Sequence, residues 1–353
     1  MDLHLDLATL GWNDFFAAQC ADVDEQSYAV GRITLEHKRM YRIFSVYGEL
    51  LGEVAGKFRF EAEAAGREHF PAVGDWVVFS VRPEGRATIH RVLQRKSQFM
   101  RKVAGTTHEA QIVAANVDTV FLVNALNRDF NLRRLERYLV LAWESSAEPV
   151  IVLSKADLCA DSEAKVAEVA AIASGVPIHV VSAHTNEGMA ALTSHLGRGR
   201  TVALLGSSGA GKSTLVNAFA GEEVQQVNDV REGDDRGRHT TTYRELIVLP
   251  QGGLIVDTPG MRELTLWEAD DGFSDAFADI EQLAEYCFFR DCRHEREPNC
   301  AVRQAITDGT LAAARYHNYV KLQREQMYLA RREAQKAKLR GRKAVKKTRR
   351  NQA

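Results

Sequence analysis

The rhythm of apolar and polar positions changes along this chain of 353 residues. Between 28 and 96 the apolar residues fall in short runs separated by polar or glycine-containing turns. Residues 41–47, 54–60, 73–79 (a turn, then a strand) and 87–93 read as strands. Several short strands at this spacing predict a small β-barrel of the five-stranded OB type. From about 111 the texture differs. Residues 117–123 form a continuous apolar run, as expected of a strand buried on both faces. Residues 131–142 place Leu132, Leu135, Leu139 and Ala142 on one helical face. Strands at 150–153, 176–181 and 201–205 then alternate with helices at 162–173 and 188–196. This alternation predicts a mostly parallel sheet covered by helices. Residues 222–242 show little apolar periodicity, strands return at 243–249 and 254–256, and a helical C-terminal region follows.

Composition narrows the class. Hydrophobic residues make up 45% and charged residues 26% of the chain, values of a soluble globular protein. There is no run of 18 apolar residues, so no membrane span is expected. Residues 1–6 lack a basic region followed by an apolar run, so no signal peptide is expected either. Five cysteines, three of them clustered, fit a reducing cytoplasm and a metal site better than a disulfide framework. The net charge of −1 conceals an asymmetry. Residues 331–350 hold eleven Lys/Arg and one acid, Glu333, so the remainder is acidic. A basic tail of this kind points to a polyanionic partner. Arg32, Lys38, Arg39 and Arg42 of the barrel are candidates for the same role, since OB-type barrels often bind RNA through basic and aromatic side chains.

The chemistry is concentrated in five motifs. Gly206-Ser207-Ser208-Gly209-Ala210-Gly211-Lys212-Ser213, followed by Thr214, is a phosphate-binding loop between a predicted strand and a helix. Its backbone N–H groups and the helix N-terminus suit phosphate oxygens. Lys212 suits the β- and γ-phosphates, and Ser213 a magnesium ion. Asp257-Thr258-Pro259-Gly260 follows a buried strand and reads as switch II, with Asp257 on magnesium through water and the Gly260 N–H sensing the γ-phosphate. Ser154-Lys155-Ala156-Asp157 looks like a base-reading Asn-Lys-x-Asp element with Ser in place of Asn. Asp157 would accept from guanine N1–H and the exocyclic amine, which adenine does not offer. Ser182-Ala183 looks like the element whose backbone meets guanine O6. In switch I, Thr240 and Thr241 are candidate magnesium ligands, with Thr241 favoured. Met261 stands where many GTPases place a water-orienting Gln, so another group must position water. His239 is the nearest candidate, with Arg236 or Arg238 as alternatives.

The motifs run in the order 154, 182, 206, 257, a circular permutation of the GTPase domain. Beyond them, Cys287-x4-Cys292-x-His294-x5-Cys300 offers three thiolates and one imidazole within fourteen residues, a set suited to one structural zinc ion. The expected fold is multidomain α/β. It comprises an extension at 1–27, the OB-type barrel at 28–110, the circularly permuted P-loop GTPase at 111–275, a zinc-binding helical domain at 276–330 and the basic tail at 331–353.

The barrel, the permuted GTPase with Gly-Arg-His-Thr-Thr-Thr at 237–242, the Cys/His finger and the stretch Leu-Asn-Arg-Asp-Phe-Asn-Leu-Arg-Arg-Leu-Glu-Arg-Tyr-Leu at 126–139 together resemble the bacterial ribosome small subunit-dependent GTPase A family, over about residues 28–330. The resemblance implies a cytoplasmic GTP hydrolase of late 30S maturation that is stimulated by the small subunit. It implies release of an assembly factor and of the protein itself on hydrolysis. It also implies barrel and zinc-domain contacts to 16S rRNA, and a catalytic role for the switch I histidine, here His239. A monomer without membrane contact is expected. A scaffold in which GTP only stabilises the fold, a permuted GTPase for another RNA or the large subunit, and an ATPase are the competing readings.

Overall fold

The computed structural model describes residues 6–102, 110–224, 244–257, 270–328 and 330–331. The chain divides into two compact units, 1–265 and 266–353.

A short helix, α1 (Asp14–Ala17), precedes the barrel. Strands β1 (Ala29–His37), β2 (Met40–Ser45), β3 (Gly48–Val54), β4 (Trp76–Arg82) and β5 (Arg86–Val92) form it. They run in the order β1-β2-β3-β5-β4, and β4 returns to pair with β1, which closes the barrel. Alternation sends Tyr41 and Ile43 of β2 and Ala87 and Ile89 of β5 inward. There they meet Ile33, Leu50, Val54, Val77 and Phe79. The strand expected at 54–60 is corrected: β3 stops at Val54, and α2 (Gly56–Ala65) follows. Phe58 and Ala62 lie one helical turn apart, and Glu61, Glu63, Ala64 and Ala65 beside them are good helix formers. Phe58 packs against the barrel core.

An antiparallel pair, β6 (Gln98–Lys102) and β7 (Ala110–Ala115), leads out of the barrel. The second half of this unit alternates as the sequence predicts. It comprises β8 (Thr119–Ala125), α3 (Leu132–Glu144), β9 (Glu148–Ser154), α4 (Ser162–Ala170), β10 (Ile178–Val180), α5 (Met189–Thr193), β11 (Thr201–Gly206), α6 (Lys212–Ala220), β12 (Arg244–Val248) and β13 (Leu254–Asp257). Strands β10-β9-β8-β11-β13 are parallel neighbours, and β12 is antiparallel to β13. Phe121, Val123, Val152, Leu204, Leu215 and Phe219 belong to the core beneath them. The sheet does not stop at β12. That strand pairs with β1 of the barrel, Leu35 opposite Glu245 and Glu36 opposite Arg244. Barrel and GTPase strands therefore form one eleven-stranded sheet.

Arg32 is the buried fastening of this unit. It is 1% exposed. Its guanidinium donates to Leu10 O (2.5 Å), Gly74 O (3.1 Å) and Asn116 O (2.9 Å), joining the N-terminal segment, the barrel and the lead into β8. Burial pulls its pKa down to about 10, with Asp118 and Asp75 opposing the shift, so it stays charged at neutral pH. Trp76 lies beneath it at 5.8 Å and is itself packed edge-on by Trp12. Arg32 is therefore removed from the candidate RNA contacts. Arg42 is half-buried and paired with Glu49 (3.1 Å) and Glu245 (2.8 Å), whereas Lys38 and Arg39 stand exposed at the β1–β2 turn.

The second unit holds α7 (Asp270–Ala276), α8 (Ala278–Glu285), α9 (Ala301–Thr307) and a helix over 313–328. Phe273, Phe277 and Tyr319 stack together. Arg315 grips both carboxylate oxygens of Asp279, at 2.7 and 2.6 Å. No helix among the described residues is long and apolar enough to cross a membrane.

Arg32→Ala removes the buried guanidinium donor of Leu10 O, Asn116 O and Gly74 O, of which, among the described residues, only Gly74 O keeps another side-chain donor, Asn116 Nδ2. It is expected to cost about 3 kcal/mol or more of stability, read as a lower denaturation midpoint. Arg39→Ala, whose side chain is 59% exposed in a single ion pair, is expected to stay within about 0.5 kcal/mol.

Candidate functional site

The site is assembled at the C-terminal ends of the parallel strands, where open α/β sheets place their ligands. Strand β11 is fully buried and ends at Gly206, whose missing Cβ would strike Val123 O at 2.5 Å. The loop then turns through Gly209 (φ +73°) and Gly211 (φ +88°), conformations that disfavour other residues. Gly211 caps α6, so the first amides of that helix point into the loop. The Lys212 ammonium arches back over it and donates to Gly206 O (2.8 Å) and Ser207 O (2.7 Å). Ser213 and Thr214 are half-buried in the first turn of α6.

Strand β9 ends at Ser154, which is 3% exposed. Its hydroxyl donates to Ala210 O of the phosphate loop at 2.6 Å. Although shorter than the Asn it replaces, Ser154 thus ties its own loop to the phosphate loop. Lys155 follows in the left-handed region (φ +59°), and Asp157 lies in the short turn after it. Ser182, fully buried after β10, donates its hydroxyl to Asp157 Oδ1 at 2.6 Å and accepts from the Thr185 N–H at 3.2 Å. Ala183 is half-buried beside it. The two base-loop segments are thus tied to each other, and the first is tied to the phosphate loop.

Asp129, to which the sequence reading assigned no role, completes the back of the loop. It accepts from the Ser207 hydroxyl and pairs with Arg134 at 2.8 Å. The adjacent Asn131 side chain caps α3 by accepting from the Arg134 N–H at 3.1 Å. The available signal was a run of polar residues directly after a buried strand in a P-loop domain. Asp257 ends β13, but its side chain lies outside the described residues. So do Arg236, Arg238, His239, Thr240, Thr241, Gly260 and Met261.

In the second unit the ligand atoms of Cys287, Cys292, His294 and Cys300 lie within 4.8 Å of one another. Cys287 Sγ stands 3.9 Å from Cys300 Sγ, and His294 Nδ1 is 3.5 and 3.3 Å from those two sulfurs. Tetrahedral thiolate coordination with metal–sulfur bonds of about 2.3 Å separates sulfurs by about 3.8 Å, so the set can hold a metal ion. His294 reaches it from a left-handed backbone (φ +57°), and Cys300 caps α9. Desolvation and the Cys300 and Cys287 thiols push the Cys292 thiol up to about 11. A bound cation reverses that shift.

A phosphate loop joined to a base-reading loop that precedes it in the chain defines a circularly permuted GTPase. Residues 92–267 match the family model for the RsgA GTPase. The chain is 47% identical over 336 residues to the small ribosomal subunit biogenesis GTPase RsgA of Opitutus terrae, covering 92% of this chain and 91% of that one. It is 44% identical over 324 residues to RsgA 2 of Vibrio vulnificus, covering 92% and 89%. Among solved structures it is similar to YjeQ from Thermotoga maritima (TM-score 0.63, 30% identity, 85% of this chain and 99% of that one). It is also similar to YloQ, a circularly permuted GTPase (TM-score 0.61, 25% identity, 88% and 98%). The chain belongs to the RsgA GTPase family and is a GTP hydrolase.

The metal set yields a prediction. Purified protein is expected to carry one metal ion per chain, measured by elemental analysis. Its ligands must lose protons to bind, so acidification releases the ion. Cys300→Ser is expected to abolish the stoichiometric ion.

Proposed function

We propose that this GTPase acts in maturation of the small ribosomal subunit, with its turnover stimulated by that subunit and its release, together with that of an assembly factor, following hydrolysis. The observation that supports this most is the joint placement of Asp157, Ser182 and loop 206–213 at the C-terminal ends of the parallel strands, in a chain whose relatives are small-subunit biogenesis GTPases.

In this reading Asp157, steadied by Ser182, selects guanine over adenine. Lys155 covers the base, and amides at 182–183 meet O6. The amides of 206–213 and the Lys212 ammonium take the phosphates. Ser213 and Thr241 ligate the magnesium ion that accompanies GTP, which screens phosphate charge during transfer. Asp257 and Gly260 follow the γ-phosphate, and His239 orients the attacking water where Met261 does not. The ion at 287–300 is zinc, holding a segment with little core of its own. Lys38, Arg39 and the basic tail contact 16S rRNA mainly through phosphates, so binding weakens with salt.

GTP turnover titrated with purified 30S subunits tests the reading. Turnover is expected to rise by an order of magnitude or more, with no comparable response to 50S. Lys212→Ala removes it. His239→Ala abolishes the stimulated part while nucleotide affinity stays within about twofold. Equal stimulation by 50S would overturn the assignment to the small subunit; unchanged stimulation of the His239 variant would overturn the role of His239.

A further inference from the structure

We infer that Ser154 does not read N7 of guanine, so that guanine nucleotides with N7 replaced by carbon are bound as well as the unmodified ones. The inference rests on the guanine seat proposed above and concerns one residue, Ser154.

A serine hydroxyl carries a single proton to donate. At Ser154 that proton is spent: Oγ donates to Ala210 O at 2.6 Å, inside a site where the residue is 3% exposed. The carbonyl of Ala210 has no proton, so the direction of this bond is fixed by chemistry. What remains on Oγ is lone pairs.

Guanine presents N7 and O6 side by side, both as acceptors. With Asp157 on N1–H and the amine, and the 182–183 amides toward O6, the atom that follows O6 round the base is N7. Ser154 ends β9 at the start of the same loop and binds the phosphate loop, so in the proposed seat it lies on the side of the base between the sugar-phosphate end and the O6 contact. An acceptor facing an acceptor makes no hydrogen bond. An amide side chain at this position has two N–H donors. One could hold Ala210 O while the other reached N7. Serine therefore keeps the brace between the loops and gives up the contact to the base edge. The two functions of the usual asparagine are separated in this chain, and structural continuity is the one retained.

Loss of N7 recognition leaves discrimination against adenine untouched, because that depends on Asp157 and the N1–H and amine donors. The class of ligand admitted is specific: guanine nucleotides with N7 replaced by carbon, of which 7-deaza-GDP is the probe.

Equilibrium titration with GDP and 7-deaza-GDP decides the matter. Wild type is expected to bind the two within twofold. Ser154→Asn is expected to bind 7-deaza-GDP about five- to tenfold more weakly than GDP, the ratio that one net hydrogen bond provides. Ser154→Ala, which loses the brace only, is expected to bind both more weakly with their ratio still near one. This variant and wild type decide the question even if the buried Asn does not fold. A wild-type protein that binds 7-deaza-GDP fivefold or more weakly than GDP overturns the inference, as does an Asn variant that does not distinguish the two. Asp157→Asn serves as the control on the seat. If that variant binds GDP as wild type does, the guanine seat itself is wrong and the inference falls with it. If it binds GDP weakly while wild type discriminates at N7, the seat stands and only the inference falls.

Discussion

One buried cation holds the first unit together. The Arg32 guanidinium donates to carbonyls 22, 42 and 84 residues away, and each belongs to a different stretch of chain. A guanidinium suits this position because its rigid planar fork offers several donors at once and hydrates more weakly than an ammonium. Its desolvation is offset by three carbonyl dipoles, the face of Trp76, and Asp118 and Asp75 nearby. Removing one partner of such a buried network leaves the others unsatisfied. The N-terminal segment, the barrel and the lead into β8 are therefore fixed as a set.

That fastening makes the shared sheet meaningful. Barrel and GTPase strands are often treated as separate bodies, yet here β1 pairs directly with β12, and Arg42 of β2 reaches Glu245 of β12. A second set of ties operates at the other end of the domain. Ser154 binds the first base loop to the phosphate loop, Ser182 binds the two base segments to each other, and Asp129 with Arg134 backs the phosphate loop from α3. These loops, the proposed nucleotide seat, are thus joined by side-chain contacts within the chain itself.

How much of this the sequence disclosed depended on how local each contact is. The metal set was legible because its four ligands fall within fourteen residues of chain. The phosphate loop was legible because its glycines, lysine and serine are contiguous. The parallel strands announced themselves as continuous apolar runs. Arg32 was read as a surface cation because nothing near it in the chain names its carbonyl partners. The brace from Ser154 spans 56 residues, so no local pattern discloses it. The run from Val54 to Phe60 carries too few residues to separate a strand from a helix by periodicity, and α2 emerged only where Phe58 and Ala62 meet the barrel. Closure of the barrel and its continuity with β12 depend on pairing between distant strands, which local pattern does not encode.

The permuted order of motifs acquires a mechanical sense from these ties. Under the proposed function, the permuted order leads the chain from Asp257 on toward the unit that carries the Cys/His set, which gives the proposed switch II a covalent neighbour outside the GTPase core. The pairing of β12 with β1 gives switch I another, because β12 begins directly after residues 225–243, where His239 and Thr241 lie. Under the proposed function, an RNA surface that grips the barrel at Lys38 and Arg39 acts through β1 on the strand that anchors the candidate catalytic loop. The strand ladder transmits such a load because its register cannot slip by one residue without turning the buried side chains outward. In that reading, activation by a partner and hydrolysis at the phosphates share a single sheet, and a partner-driven trigger takes the place of the glutamine that Met261 replaces.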